Sequence, residues 1–321
     1  MRAALLMDPA LVPFVFGPHE QARLNELLEI DLTQPATSVA GIPDPAGVEL
    51  LITGWGAGIR PGDLGALPAT RAVVHWGGGN GSLDGDAAAR GIPVSTAKAA
   101  NAVPVAEYTV AMITLAAKDA FWLSREYSAE QRFIDREAAA PRAGLYGTTI
   151  GIVGASAIGT LVVDRLRASD VRVLLYDPYV SAADADTLGA ELVDDLRALA
   201  ARSDLLSIHA PEMPATIGMI SADVLAALPD GATVINTARG ALIDQEALVE
   251  ELRRGRLRAV LDVTEPDPLP AGHALFSLPN VFLTPHLAGS MGNELRRLGE
   301  SALAEIERFV AGQPFLHPVT P

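Results

Sequence analysis

The sequence contains no cysteine among its 321 residues. A disulfide, a thiolate nucleophile and a cysteine-ligated metal are therefore excluded. Basic residues are also few, with 24 Lys and Arg against 39 Asp and Glu, which gives a formal net charge of -15. Because such a surface repels a phosphate backbone, we expect no nucleic-acid partner. Aromatic residues make up only 5% of the chain and hydrophobic residues 49%, which indicates a globular protein with aliphatic cores.

The sequence also lacks an uninterrupted apolar run of membrane-spanning length. The most apolar long segment covers residues 102–123, where Glu107, Lys118 and Asp119 break the run and favour a buried helix. Asp8 interrupts the apolar N-terminus, which argues against a secretory signal. We therefore expect a cytoplasmic protein without a membrane partner, long enough for two domains.

Residues 149–177 form the pattern around which the chain is organised: strand, glycine turn, helix, strand. Gly154 and Gly159 lie in the turn, and Asp177 ends the second strand. In a dinucleotide-binding βαβ unit, the helix N-terminus faces a pyrophosphate and the acid bonds a ribose 2′-OH. Ser156 replaces the middle glycine of the G-x-G-x-x-G pattern, so its hydroxyl either crowds the phosphate or bonds it. A βαβ unit without a nucleotide is the alternative.

Strands alternate with helices on both sides of this stretch, which predicts an α/β fold with parallel sheets covered on both faces. Glycine turns are predicted at residues 54–58 and 76–81, and Pro104 is placed in the first turn of its helix. The predicted strands are residues 2–7, 48–53, 71–75, 149–153, 171–176, 204–208, 232–236, 257–261 and 281–283. The other predicted helices are residues 20–28, 86–90, 103–118, 121–137, 195–201, 222–228, 245–253 and 294–310.

Polar residues follow several of the predicted strands. They are Asp177, His209, Arg239, Asp262 and His286. Because the carboxyl ends of parallel strands meet at one edge, where ligands bind, these residues predict a site. Each has a structural alternative: a surface arginine, a hydrogen-bonded loop histidine, or an acid that satisfies backbone groups. Their joint placement favours the functional interpretation.

At these residues the chain resembles the D-isomer-specific 2-hydroxyacid dehydrogenases. The resemblance implies two Rossmann-like domains with parallel sheets: a flavodoxin-like substrate domain of residues 1–99 and 288–321, and an NAD-binding domain of residues 100–287. It also implies closure of the domains about a hinge, and a homodimer with the helix after Asn101 at the interface. The matching blocks are residues 101–108 (NAVPVAEY), 149–177, 209–211 (HAP), 236–244 (NTARGALID), 261–269 (LDVTEPDPL) and 284–290 (TPHLAGS).

The resemblance further implies three catalytic residues. Arg239 would bind the substrate carboxylate and carbonyl, and His286 would be the general acid/base. The acid that orients this histidine lies five residues after Asp262 in the family, which gives Asp267 here. The family usually has glutamate at that position, so the shorter side chain leaves the pairing open. Glu265 is the nearby alternative.

Two more features match the substrate side of the family pattern. Gly77, Gly78 and Gly79 correspond to a loop whose N–H groups hold the substrate carboxylate, with a flexible turn as the alternative. Trp55 and Trp76 flank this loop, where they either line the pocket for the substrate side chain or pack in the core.

The implied cofactor is NAD, because a carboxylate at Asp177 favours a free 2′-OH over a 2′-phosphate. No metal is expected. The implied cofactor-binding residues are Gly154, Ser156, Ala157, Ile158, Gly159, Asp177, Pro178, His209, Ala210, Pro211, Thr216, Thr237, Ala238, Arg239, Asp262, His286, Ala288 and Gly289.

The sequence thus favours an NAD-dependent oxidoreductase that interconverts a small 2-keto acid and the (R)-2-hydroxy acid. Hydroxypyruvate, glyoxylate and a phenylpyruvate-like acid are candidate substrates. An NAD(H)-sensing regulatory protein like the C-terminal-binding-protein corepressors is the alternative, because it would carry the same catalytic residues. A formate-dehydrogenase-like enzyme is disfavoured, because that branch has glutamine where this chain has Asp267.

Overall fold

The computed structural model describes residues 1–56, 60–79 and 84–319. The chain divides into two compact units, one of Met1–Pro104 with Gly289–Pro321 and the other of Val105–Ala288. The first division falls inside a helix, a few residues beyond the 99/100 boundary that the sequence suggested. Residues 57–58 and 80–81 of the two predicted glycine turns lie outside the described residues.

The first unit contains a parallel four-stranded sheet of β1 (Ala3–Leu6), β2 (Leu50–Thr53), β3 (Ala72–His75) and β4 (Val94–Thr96), in that order. Beyond β1, Glu29 and Ala36 form isolated parallel bridges with Arg2 and Leu6, so this segment occupies the outer position. Counting it second along the chain gives the order 2-1-3-4-5 of flavodoxin-like folds.

The second unit contains a parallel seven-stranded sheet. Its order is β11-β10-β9-β8-β5-β6-β7, where β5 is Thr149–Val153, β6 Arg172–Tyr176, β7 Glu191–Leu192, β8 Leu205–Ile208, β9 Thr233–Asn236, β10 Arg258–Leu261 and β11 Val281–Leu283. The strand order reverses at β5, between β6 and β8, which is the switch point where doubly wound folds bind nucleotides. The predicted α/β class with parallel sheets is confirmed.

Helices cover both faces of each sheet. Alternate strand residues pack on opposite faces, as Leu5 and Leu6 do in β1. The described helices are α1 (Val12–Val15), α2 (Pro18–Leu27), α3 (Asp84–Ala89), α4 (Lys98–Ala117), α5 (Ala120–Glu130), α6 (Arg136–Ala139), α7 (Ala157–Leu166), α8 (Ala182–Leu188), α9 (Leu196–Ala201), α10 (Ala222–Ala227), α11 (Gln245–Arg253) and α12 (Leu295–Val310).

Helix α4 differs most from its prediction. It begins at Lys98, not at residue 103, so Pro104 lies inside the helix and not in its first turn. Among the described helices, α4 is long and apolar enough to cross a membrane by length and composition, with a mean hydropathy of 1.2. Its residues Ala106, Ile113 and Ala116 instead pack in the core of the second unit.

The predicted helix over residues 121–137 is two helices. α5 ends at Glu130 because Gln131 adopts a left-handed backbone with φ 49°, and α6 begins after Asp135, whose side chain accepts the Ala138 N–H. The short elements α1, α8, β4 and β7 were not predicted. For α8 the signal was present, since Ser181 and Asp184 form a capping box at its start.

Candidate active site

The turn between β5 and α7 requires glycine at two positions. Gly154 has φ 96°, and a Cβ there would lie 2.7 Å from the Ala210 nitrogen. A Cβ on Gly159 would lie 2.0 Å from the Gly154 carbonyl oxygen. Both contacts are too short for an alanine, so the backbone packing alone explains these two glycines.

Ser156 occupies the middle glycine position without strain. Its φ is -62°, which any residue adopts, and its side chain caps α7 by accepting the Gly159 N–H at 3.3 Å. The serine therefore replaces the one glycine that the turn itself does not need. Its hydroxyl sits at the N-terminus of the helix, where a phosphate would bind.

The residues around this turn fit a dinucleotide. Ala157 and Ile158 are the first two residues of α7, so their N–H groups have no partner within the helix, as in any helix, and can bind an anion. Asp177 lies at the end of β6 and accepts the N–H groups of Ala155 and Tyr179, both at 2.8 Å. These bonds fix the carboxylate beside the turn, as the ribose contact of this fold requires. Pro178 follows and is exposed.

The segment after β8 lies beside the same turn. His209 is buried, its Nε2 lies 2.9 Å from Ser207 Oγ, and burial lowers its pKa to about 3. The ring is therefore neutral at pH 7, and its buried Nδ1 has no hydrogen-bond partner among the described residues. Ala210 is buried and Pro211 exposed, and Thr216 closes the turn by donating to the Pro211 carbonyl at 2.6 Å.

Arg239 follows β9 on a backbone held by its neighbours. Asn236 donates to the Arg239 carbonyl at 2.8 Å and accepts the Ala238 N–H at 3.0 Å. The guanidinium is exposed, and its Nη1 donates to the Ala238 carbonyl at 2.6 Å. Thr237 is buried against Thr109 of α4, with 2.8 Å between the hydroxyl oxygens. The exposed guanidinium is thus anchored at one nitrogen and free to bind an anion through the others.

His286 pairs with Asp267. The distance from His286 Nδ1 to Asp267 Oδ2 is 2.8 Å, and the two side chains are 52% and 40% exposed. The aspartate therefore reaches the histidine although its side chain is shorter than glutamate. Glu265, the alternative, makes its described hydrogen bonds through its backbone, to Gln245.

Asp262 lies beneath the loop that carries His286. It is 1% exposed, and its carboxylate accepts the N–H groups of Leu287 and Ala288 at 2.8 and 2.9 Å. It also accepts the Thr284 hydroxyl at 2.6 Å, and Tyr108 of α4 lies 2.9 Å from that hydroxyl. Burial raises the pKa of Tyr108, so it stays protonated. Asp262 thus positions the histidine loop in this structure. Tyr108 and Thr284 lie in blocks that match the family but received no role from the sequence, and Gln245 lies just outside those blocks.

In the first unit, the loop after β3 approaches other side chains closely. A Cβ on Gly77 would lie 2.5 Å from His75 Nε2, and one on Gly78 would lie 2.4 Å from Asn101 Nδ2. A Cβ on Gly79 would meet no described atom within 4 Å, so close packing does not require that glycine.

The two tryptophans of this unit differ in burial. Trp76 is fully buried in the core, whereas Trp55 is 37% exposed and packs edge-on against it with 5.2 Å between ring centroids. Core packing is therefore the interpretation that holds for Trp76. His75 is buried with Thr53 Oγ1 2.9 Å from its Nδ1, and burial lowers its pKa to about 4. At the return of the chain to this unit, Gly289 precedes Ser290, whose N–H donates to Asn101 at 2.9 Å.

The seven-stranded sheet, the glycine turn at its switch point and the acid after β6 define a Rossmann-type dinucleotide-binding protein. A model of the D-isomer specific 2-hydroxyacid dehydrogenase family, NAD binding domain, matches residues 110–288. The match covers more than half of the chain, so the chain belongs to the D-isomer-specific 2-hydroxyacid dehydrogenase family. The predicted nicotinamide dinucleotide cofactor is confirmed at the level of this family.

Named relatives extend this result. D-3-phosphoglycerate dehydrogenase of Mycobacterium leprae is 35% identical over 254 residues, 78% of this chain and 47% of the relative. The chain spans about half the length of the curated relatives it matches first. A solved structure from Thermus thermophilus is 28% identical with a TM-score of 0.79, and each chain is fully covered. The NADPH-dependent glyoxylate/hydroxypyruvate reductase of Sinorhizobium meliloti is 25% identical with a TM-score of 0.78, covering 99% of this chain and 97% of that one.

Proposed function

We propose that this protein is an NAD-dependent oxidoreductase that interconverts a 2-keto acid and the corresponding (R)-2-hydroxy acid. The observation that carries the proposal is the His286–Asp267 pair at 2.8 Å. The carboxylate engages Nδ1 and leaves Nε2 without a protein partner among the described residues, so Nε2 is available to exchange a proton with a substrate oxygen.

Each residue of the pair has a distinct task in this proposal. His286 Nε2 donates a proton to the carbonyl oxygen during reduction and removes it during oxidation. Asp267 fixes the tautomer that carries the proton on Nδ1 when the ring is neutral, and it stabilises the imidazolium. A bound nicotinamide supplies or accepts the hydride.

Arg239 is the third residue of the second unit that takes part in the proposed reaction. Its planar guanidinium forms parallel hydrogen bonds to a carboxylate, and its positive charge polarises the neighbouring carbonyl. Because Nη1 is already engaged by the Ala238 carbonyl, the orientation of the fork is restricted before substrate binds. We propose that the N–H groups of residues 77–79 contribute to binding the substrate carboxylate.

The names of the relatives suggest two classes of substrate. One is D-3-phosphoglycerate, with its product 3-phosphohydroxypyruvate, and the other is a small unphosphorylated acid such as glyoxylate or hydroxypyruvate. Both classes share the 2-keto acid group that the proposed residues recognise. A panel of acids therefore tests the reaction type and the substrate together.

We also propose a homodimer. Three aromatic side chains between α4 and β5 are strongly exposed, namely Tyr127, Phe133 and Tyr146, at 62%, 81% and 90%. Large exposed aromatic residues on one stretch of chain favour an interface with a second copy. Light scattering after size exclusion should give twice the mass of the 321-residue chain, and Phe133→Ser should shift the protein toward monomer, whereas a monomeric wild type would contradict the proposal.

The decisive experiment follows the absorbance of NADH in the presence of glyoxylate, hydroxypyruvate, phenylpyruvate and 3-phosphohydroxypyruvate. We expect turnover with at least one acid, and a loss of about 10²- to 10⁴-fold in kcat in His286→Ala. His19→Ala, at an exposed histidine of the first unit, is the matched control and should keep wild-type turnover. Tight NADH binding without turnover of any acid would contradict the proposal.

A further inference from the structure

The loop that carries Asp267 has few means of holding itself in place. Residues 264–268 include Pro266 and Pro268, which have no N–H group to donate. The one side-chain hydrogen bond within the loop runs from Thr264 Oγ1 to the Pro266 carbonyl at 2.9 Å. The position of the Asp267 carboxylate therefore depends on groups outside the loop.

Gln245 supplies such a contact. Its Nε2 donates to the Glu265 carbonyl at 2.6 Å, and its Oε1 accepts the Glu265 N–H at 3.0 Å. The side-chain amide thus pairs with the backbone N–H and C=O of Glu265, as a residue of a neighbouring strand does in a ladder. Among protein side chains, an amide offers this donor and acceptor side by side, which a carboxylate, a hydroxyl or an apolar group does not.

The same segment touches the loop at a second point. A Cβ on Gly240 would lie 2.1 Å from the Thr264 carbonyl carbon and 2.6 Å from the Glu265 nitrogen. The backbone next to Arg239 therefore packs directly on the loop. Gly240 and Gln245 together fix the loop of Asp267 relative to the chain that bears Arg239.

We propose that Gln245 is a positioning residue that acts on the reaction through Asp267, an inference that rests on the proposed function. Gln245 holds the backbone of Glu265, which lies two residues before Asp267. Asp267 in turn holds His286 at Nδ1. Release of the peptide displaces the carboxylate, and displacements of about 1 Å in such a constellation reduce turnover strongly.

The first variant is Gln245→Leu, which keeps the size of the side chain and removes both hydrogen bonds. We expect kcat to fall about tenfold, because the acid is misplaced and not removed. The dissociation constant for NADH should stay within about twofold of wild type, since Gln245 is not among the residues that fit the dinucleotide. An unchanged kcat would overturn the proposal.

A double-mutant cycle with Asp267→Asn separates positioning from a general structural effect. If Gln245 acts through Asp267, Gln245→Leu should reduce kcat by less than about twofold in the Asp267→Asn background. The same tenfold loss in both backgrounds would show that Gln245 acts by another route, and would overturn the proposal.

Asn280→Leu is the matched control. Asn280 Nδ2 donates to the Leu252 and Leu257 carbonyls at 2.8 and 2.7 Å, so this variant also removes two side-chain-to-backbone hydrogen bonds from the second unit. It should lower the melting temperature as Gln245→Leu does and leave kcat unchanged. An equal loss of kcat in both variants would mean that lost stability, and not positioning, explains the effect.

Hydrogen exchange gives a result that does not depend on turnover. The Glu265 amide should be protected in the wild type and exchange faster in Gln245→Leu, with little change in β9. If the wild-type enzyme reduces no acid, the proposed function fails, yet this protection still shows whether Gln245 holds the loop. Equal exchange of Glu265 in both proteins would overturn the inference itself.

Discussion

At the scale of single residues, His286 combines an exposed ring with an uncommon backbone. Its φ of 54° lies in the left-handed region, which residues other than glycine seldom adopt. The N–H of His286 donates to the Asp262 carbonyl at 3.0 Å, and the Asp262 carboxylate holds the next two N–H groups. Strained conformations of this kind persist where the surroundings over-determine them, which is frequent at functional sites. The hydrogen bonds to Asp262 therefore hold the loop in a conformation that leaves the His286 ring exposed.

Asp262→Asn tests that argument. The amide keeps one acceptor but directs its NH₂ group toward a backbone N–H or the Thr284 hydroxyl, so at least one buried donor loses its partner. We expect a loss of about 1–3 kcal/mol in the free energy of unfolding and a fall in kcat, measured by urea unfolding and NADH oxidation. Asp223→Asn, at an exposed position of α10, should change neither quantity. Wild-type kcat in Asp262→Asn would show that the loop does not need the carboxylate.

Asp177 decides the choice of cofactor in our proposal. Its carboxylate is fixed by two N–H groups beside the nucleotide turn, where a 2′-phosphate would meet a negative charge. We expect NADH to bind at least about tenfold more tightly than NADPH, and Asp177→Asn to reduce that ratio. Asp170→Asn removes a charge from an exposed position of the same unit and should leave the ratio unchanged. Tighter binding of NADPH than of NADH by the wild type would refute the assignment.

At the scale of elements, the sequence predicted most strands and helices near their observed bounds but missed the buried strand β4. The strand β11 (residues 281–283) and the helix α11 (residues 245–253) coincide with their predictions. Helix α4 was predicted to begin near Pro104 because proline favours the first turn, but tertiary packing carries the helix back to Lys98. The split of the 121–137 helix depends on the left-handed Gln131, which periodicity does not reveal.

In the candidate site, too, local patterns predicted some features and tertiary contacts decided others. The strand-end positions of Asp177, Arg239 and His286 followed from the alternation of elements, since parallel strands deliver their ends to one edge. The contacts that hold them, such as Gln245 on Glu265, join segments 20 residues apart and leave no local pattern. Such pairings depend on the packed loops themselves, so they could not be predicted from spacing.

The β5–α7 turn gives a prediction at this scale. Gly159→Ala would place a Cβ about 2.0 Å from the Gly154 carbonyl oxygen, so the turn must open. We expect a loss of about 1–3 kcal/mol in stability and weaker NADH binding, measured by thermal unfolding and by NADH fluorescence. The control is Gly65→Ala, where a Cβ meets no described atom within 4 Å. NADH affinity equal to wild type in Gly159→Ala would place the dinucleotide away from this turn.

At the scale of the whole molecule, the chain passes between the units twice, after Pro104 and after Ala288. Each unit contains one buried histidine with a strongly lowered pKa, about 4 for His75 in the first and about 3 for His209 in the second. Desolvation is the cause in both cases, so the folded protein keeps both rings neutral. The stability of both units should therefore respond to acid in the same way.

The sign of that sensitivity follows from proton uptake. In the unfolded chain a histidine binds a proton below its ordinary pKa of 6.5, whereas folded His75 does so only near pH 4. Between these values the unfolded state binds more protons, so stability falls as the pH falls. At pH 5 the loss from His75 is about 2 kcal/mol, and below pH 4 it no longer grows.

His75→Asn removes this titration while keeping a polar group beside Thr53. We expect the drop in unfolding free energy from pH 7 to pH 5 to shrink by about 2 kcal/mol, in urea titrations followed by tryptophan fluorescence. Two of the three tryptophans, Trp55 and Trp76, lie in the first unit and pack against each other, so the signal reports mainly on that unit. His19→Asn, at an exposed histidine of the same unit, should leave the drop as large as in the wild type. An unchanged drop in His75→Asn would show that carboxylates, and not the buried histidine, govern the acid response of this unit.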